Sequence, residues 1–538
     1  ALPAEGPGRT QEPITAATSR PTGSEIDISI SADAWFPGMV DPDAGISYVV
    51  GSSATATLFP IGPVDLLARA GIHSIRTGAG KNLFYLGGGP GLGVRSSLGE
   101  RLSLITAGFA GLGKIPDIKM PEAEEKSYGL YELGARVEAS YRLSAAARVS
   151  FFTGFEHLAT PAATFINAPS VGLGVEIRPG DMLRTRGHVS FGGIDADPVF
   201  PVLRSWYDSA PLGTVSIRNM EDGRIERVRV YFQVPEYMGS ARLCADTPRL
   251  DPGEEMRADL YAVFDERILT LTENTKSNAT LEVEYSYYGS PRSIRRTFAL
   301  QVYHRNTMTW EDDRRAAAFV SPTDPAALWF SRYAGSVARD RMRTTLPHNL
   351  QQALSIFEAL RLYGVNYVID PNSSYVELSR DASAIDFLQY PGETLTYRGG
   401  DCDDLSILYC SLLESSGIST AFITIPGHIY MAFDTGLTEE EALEQFFDPG
   451  LLIFHEGRAW APVEIPMVQD GFVKAWRIGA KQWIDNEATG SAAFFPMKEN
   501  WATYPPSALP NTESRFTLPD ESELMVAFLG KREGERGG

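Results

Sequence analysis

The sequence predicts a chain of three parts: an N-terminal antiparallel β-barrel of eight strands, a β-sandwich, and a C-terminal α+β domain. Three observations predict this. Between residues 24 and 182 apolar residues alternate with small or polar ones, in a stretch rich in glycine and aromatics. From 186 to 308, short β-branched and aromatic runs are separated by turn signals such as Asp222-Gly223 and Tyr288-Gly289. After Trp310 the apolar spacing changes to three and four, the spacing of amphipathic helices. A chain of 538 residues is also too long for one core.

The first 23 residues are polar and poor in aromatics, and read as a disordered leader. The barrel follows, in the runs "SEIDISISADAWF", "ISYVVGSSATATLF", "VDLLARAGIHSIRT", "NLFYLGGGPGLGVRSSL", "RLSLITAGFAGLG", "YGLYELGARVEASYRL", "ARVSFFTGFEHLA" and "SVGLGVEIRPG". In "YELGARVEASYRL", Leu133, Ala135, Val137 and Ala139 share one face, and Gly134, Arg136, Glu138 and Ser140 the other. A strand with lipid on one side and a packed polar interior on the other needs that division. A soluble barrel would alternate as well. Strand length, even strand number and glycine content point to a small outer-membrane-type barrel, whose interior eight strands would fill with side chains, making it an anchor.

The sandwich, 186–308, is of the immunoglobulin or fibronectin type by its strand spacing, and it carries no cluster of His, Cys or carboxylates. The third domain spans 311–500. It opens with helical patterns in "DPAALWFSRYAGSVARDRM" and "NLQQALSIFEALRLYGV", the second closed by Gly364. Residues 501–538 read as a tail with one short apolar piece.

Composition excludes several classes. A net charge of -20 without a basic stripe argues against a nucleic-acid partner. Three cysteines cannot make a disulfide scaffold. No run of 18 apolar residues is present, so no transmembrane helix is expected, and no signal peptide is visible.

Chemistry concentrates at "YRGGDCDDLSILY", residues 397–409. Leu405, Leu408, Tyr409 and Leu412 fall on one helical face, with Asp401 as cap and Asp404 where a capping-box acid would sit. Cys402 then lies in the first turn, where unpaired N–H groups favour a thiolate. Its acidic neighbours oppose one, and an imidazolium close by would resolve the conflict. His428 begins a strand after the Pro426-Gly427 turn, and "GRAWAPVEIP" places Trp460, Pro462 and Glu464 on one face of another. If those strands are neighbours, Glu464 could orient His428 toward Cys402. Asp434 and Asp448 are the competing acids.

The run "YRGGDCDDLSILYCSLLESSGISTAFITIPGHIYMAFD" resembles the core of the transglutaminase-like superfamily of papain-like cysteine enzymes, over about residues 323–483. It is most similar to the bacterial transglutaminase-like cysteine proteinases. The resemblance implies a papain-like α+β domain in which Cys402 is nucleophile, His428 base and Glu464 orienting acid. The family's usual third residue is Asp, so Glu464 is a departure. Gln389 or Tyr390 would supply an oxyanion donor beside the Cys402 N–H. The resemblance also implies that acids flanking the cysteine can form a calcium site, as in some related proteinases. Asp401 and Asp403 are therefore calcium candidates, although capping and solvation is the preferred reading of them. No other cofactor is expected.

Together these readings predict a bacterial cell-envelope cysteine enzyme, anchored in the outer membrane by its barrel. An even strand number returns both barrel ends to one side, which puts the enzyme in the periplasm. Its expected substrate is a protein or peptide amide, hydrolysed or transferred through a thioester, with hydrolysis favoured. The competing expectation is a non-catalytic envelope scaffold with a degenerate module. Labelling Cys402 with iodoacetamide across pH separates the two.

Overall fold

The computed structural model describes residues 27–41, 43, 45–61, 64–99, 101–116, 129–161, 163–183, 187–369, 383–510 and 517–534. The leader assigned to residues 1–23 lies outside the described residues.

Eight antiparallel strands close into a barrel: β1 Asp27–Trp35, β2 Ile46–Ile61, β3 Val64–Thr77, β4 Asn82–Ser97, β5 Leu102–Lys114, β6 Leu130–Arg142, β7 Ala147–Thr160 and β8 Ala163–Ile177. Closure is made by β1 on β8, with Ile30 opposite Val175. The alternation read in β6 holds: Arg136, Glu138 and Ser140 are buried while Leu133 and Val137 face outward. Ile30, Ile72, Leu92, Phe151 and Leu173 continue this outward apolar belt. Inside, Arg69 pairs with Glu156 at 3.0 Å and approaches Glu132 at 3.7 Å and Asp33 at 3.9 Å. His73 and the Trp35 indole also meet Asp33, at 3.0 and 2.6 Å. Buried charges persist because they are mutually paired. Gly51 makes room for them, since a Cβ there would lie 2.3 Å from the His73 ring. The eighth strand begins before the predicted "SVGLGVEI". Ala168-Pro169-Ser170 reads locally as a break, but Pro169 stays in register opposite Phe155.

Beyond the short helix Pro179–Leu183, seven strands form two sheets. β9 Val189–Ala196, β10 Gly213–Asn219 and β13 Glu255–Leu260 make one, in order β13-β10-β9. β11 Ile225–Gln233, β12 Arg242–Leu250, β14 Thr275–Tyr287 and β15 Ser290–Val302 make the other, in order β12-β11-β14-β15. Val215 and Ile217 of the first and Val230, Phe232, Leu281 and Val283 of the second enter one core. The β14–β15 hairpin meets the barrel end: Arg142 donates to the Tyr287 hydroxyl at 3.2 Å and stacks over Tyr288 at 4.5 Å.

The C-terminal part pairs β16 Thr307–Thr309 with β18 Ile385–Phe387 and β17 Asn366–Tyr367 with β19 Gly399–Gly400. Its main sheet contains β20 Thr420–Ile425, β21 His428–Thr438, β22 Ile453–His455, β23 Arg458–Val463 and β24 Ala493–Pro496, in order β22-β23-β21-β20-β24. The helices Pro325–Arg339, His348–Tyr363 and Cys402–Glu414 share a core with it. Part of the span read as a tail is docked. The helix Glu521–Gly534 buries Leu524 and Phe528, and the Tyr333 hydroxyl donates to the Pro519 carbonyl. No described helix is long and apolar enough to cross a membrane.

Candidate active site

The site is assembled at the start of the helix Cys402–Glu414. Asp401 is the N-cap, and its carboxylate accepts from the Asp404 amide at 3.4 Å. The glycine before it is required by space: a Cβ on Gly400 would sit 2.5 Å from the Asp404 Cβ. Asp404 does not close the expected capping box. Its two oxygens instead accept from the Gln389 backbone N–H and side-chain Nε2, each at 2.7 Å.

Cys402 is only 6% exposed. Burial and the Asp401 carboxylate, and to a lesser degree Glu464, push its thiol up; the Ile429 and Asp403 amides oppose this. The helix end does not by itself favour a thiolate here, because desolvation and the acids outweigh it. The Ile429 amide that acts on the thiol belongs to the second residue of β21.

His428 opens β21, and β21 pairs with β23, Ala432 opposite Pro462. Glu464 follows β23 directly, and its oxygens lie 2.8 and 2.9 Å from His428 Nε2. The carboxylate is buried and the imidazole partly exposed, stacked on Tyr430 at 5.6 Å. With Nε2 engaged, Nδ1 is the nitrogen left for proton transfer. The competing acids are used elsewhere: Asp434 holds Arg458 at 3.0 Å, and Asp448 accepts from the Gly450 amide at 3.0 Å.

The two oxyanion candidates separate. Tyr390 is fully buried against Phe319, and its hydroxyl donates to the Arg305 carbonyl at 3.4 Å, so it has no hydrogen for a substrate. The Gln389 amide uses one hydrogen on Asp404 and keeps a second. A residue that sequence reasoning missed is Tyr367. It lies opposite Gly400 in the β17–β19 pair and is 44% exposed; partial burial, then Cys402, Asp401 and Glu464, push its hydroxyl up. No local signal marks it, because that pairing joins segments distant in sequence.

Asp401, Asp403 and Asp404 are buried, with one oxygen of each within 4.8 Å of the others. Burial and mutual repulsion push Asp403 and Asp404 well above the carboxylate range, and no cation is among their main influences. Beside them, Gln389 Oε1 is buried without a partner among the described residues. This all-oxygen donor set fits a hard cation.

No family profile matches the chain, and no curated protein matches it. Among solved structures, it is similar to Neisserial surface protein A (NspA), at 10% identity over 29% of this chain and 97% of that one, TM-score 0.24. It is also similar to the N-terminal β-barrel domain of Pseudomonas aeruginosa OprF, at 14% identity over 28% and 95%, TM-score 0.19. A third is the Yersinia pestis outer membrane protein Ail, at 14% identity over 29% and 100%, TM-score 0.21. Each covers under a third of this chain.

Proposed function

We propose that this chain is a membrane-anchored cysteine enzyme of the bacterial envelope, of the transglutaminase-like kind, that cleaves or transfers amide bonds through a thioester on Cys402. One observation carries the reading: the His428–Glu464 pair, 2.8 Å apart, opens the strand whose second residue, Ile429, has its amide near enough to act on the Cys402 thiol.

His428 Nδ1 takes the Cys402 proton as the sulfur attacks the carbonyl. Glu464 stabilises the imidazolium so formed. The Tyr367 hydroxyl, the second Gln389 amide hydrogen and the Cys402 N–H, which has no hydrogen-bond partner among the described residues, are the donors for the oxyanion. His428 returns the proton to the departing amine, and water or another amine then takes the acyl group from sulfur. Hydrolysis is favoured, since water is always present. A calcium ion held by Asp401, Asp403, Asp404 and Gln389 Oε1 would offset the negative charge facing the sulfur.

The outward belt of Ile30, Ile72, Leu92, Leu133 and Leu173 supports membrane embedding in the outer membrane. The chain enters and leaves the barrel on one side, at Asp27 and Arg178, which pair at 2.7 Å, and this would put the enzyme domain in the periplasm. One observation favours a second reading, a binding module without chemistry: Cys402 is buried.

The test is to incubate the full chain in detergent with a peptide mixture, quench in acid, and map adducts by mass spectrometry. A hydroxylamine-labile acyl group on Cys402, absent from His428→Ala, is expected. Product-free Cys402 across broad peptide sets, with no cleavage, would leave the binding module.

A further inference from the structure

A second polar site lies in the sandwich beside the barrel. A groove of about 450 Å³ opens on the β11–β14–β15 sheet, lined by Arg227, Arg229, Glu284, Ser286, Arg292 and Ser293, among others. Three of its polar groups lack partners among the described residues. The Ser286 hydroxyl is buried, in a residue 4% exposed, and has no hydrogen bond. The exposed Arg227 guanidinium and Glu284 carboxylate form no ion pair. Arg229 is held by Asp246 at 3.2 Å, and buried Arg292 by Glu221 at 2.8 Å and Asp181 at 2.9 Å. A buried hydroxyl left unsatisfied costs stability that a ligand oxygen could restore.

The position narrows the ligand. Ser286 adjoins Tyr287, whose hydroxyl receives Arg142 at the end of β6. The neighbours of Arg142, Tyr141 and Leu143, are 45% and 52% exposed on the barrel exterior. The groove therefore lies on the hairpin that meets the barrel end, next to the rim of the apolar belt.

We infer that this groove binds a zwitterionic phospholipid headgroup, its phosphate on Arg227, Arg229 and the Ser286 hydroxyl and its primary ammonium on Glu284. The free carboxylate is the discriminating element. It repels a purely anionic headgroup and pairs with an amine, whereas the arginines and hydroxyl accept any phosphate. The inference rests on the membrane reading of the barrel, not on the chemistry at Cys402.

The test titrates the full chain with dihexanoyl phosphatidylethanolamine, dihexanoyl phosphatidylglycerol and inorganic phosphate by calorimetry. Being monomeric and soluble, the short lipids report the groove separately from insertion of the barrel into a bilayer. The ethanolamine lipid should bind saturably and at least tenfold more tightly than the other two. Arg227→Asn, which suits the left-handed backbone there (φ 53°), and Glu284→Gln should each weaken it at least tenfold. Ser286→Ala should weaken it while leaving the melting temperature equal or higher, which separates lost binding from lost fold. Glu284→Gln should leave phosphate binding unchanged. Equal affinity for both lipids, phosphate binding as tightly as the ethanolamine lipid, or unaltered binding by Arg227→Asn would each overturn the assignment.

Discussion

Replacing Glu464 with Gln removes one charge from the site and almost no volume. In the wild type both carboxylate oxygens lie within 2.9 Å of His428 Nε2, on a buried side chain. The Gln amide can still accept from Nε2–H, so the resting ring keeps its orientation. What is lost, in the proposed mechanism, is the partner of the imidazolium that forms when Nδ1 takes the Cys402 proton. Unit charges about 4 Å apart attract by about 4 kcal/mol at an effective dielectric of 20, and by about half that at 40. The imidazole is partly exposed, which favours the lower figure. A loss of about 2–4 kcal/mol predicts a roughly 30- to 1,000-fold slower reaction of Cys402 with a neutral electrophile at pH 7. The assay is iodoacetamide labelling of the full chain in a Cys244→Ser background, read at the Cys402 peptide. His428→Ala should fall at least as far. Glu464→Asp keeps the charge on a shorter stem, and should lie between wild type and Gln. A Glu464→Gln rate within threefold of wild type would show that this pair does not activate the sulfur, and the proposed mechanism would be wrong.

Other outcomes follow from single contacts. Leu173 is 66% exposed on the barrel exterior, so Leu173→Arg should lower stability in lipid vesicles by up to about 2–4 kcal/mol, whereas a soluble barrel would be indifferent. Gly400→Ala forces a Cβ to within 2.5 Å of Asp404; it should destabilise the domain by about 1–3 kcal/mol in denaturant titration and slow Cys402 labelling. Burial pushes Glu414 up to about 7 from its usual 4.5, although the Thr420 amide and hydroxyl hydrogen-bond to it. Its folded form prefers the proton, so its contribution is fully present below about pH 4.5 and is lost as pH rises through 7, about 3 kcal/mol in all. Protection of the Thr420 amide from hydrogen exchange should fall across that window in wild type and stay flat in Glu414→Gln. If the acidic cluster holds calcium, the ion should raise the melting temperature of the wild type and not of Asp403→Asn, and equal shifts in both would exclude the cluster.

The barrel was legible because its signal is local. Arg136 and Val137 face opposite ways for the same reason that any neighbouring strand residues do, so the pattern survives without knowledge of the partners. The exception was the start of β8, where proline and small residues mimic a turn, and only pairing with Phe155 shows otherwise. The cap and first turn at Asp401–Cys402 were legible for the same reason. Asp404 was misplaced because its partner, Gln389, comes from a separate segment.

What the sequence by itself determined is the set of local preferences: eight alternating strands, a cysteine at a helix start, and a histidine after a tight turn. Only the tertiary structure decided which acid meets His428, that Tyr367 is paired opposite Gly400 while Tyr390 is sealed in the core, and that the thiol is buried among carboxylates. Those outcomes depend on strand register and on solvent exclusion. Both are set by pairing across the chain, which no window of neighbouring residues contains.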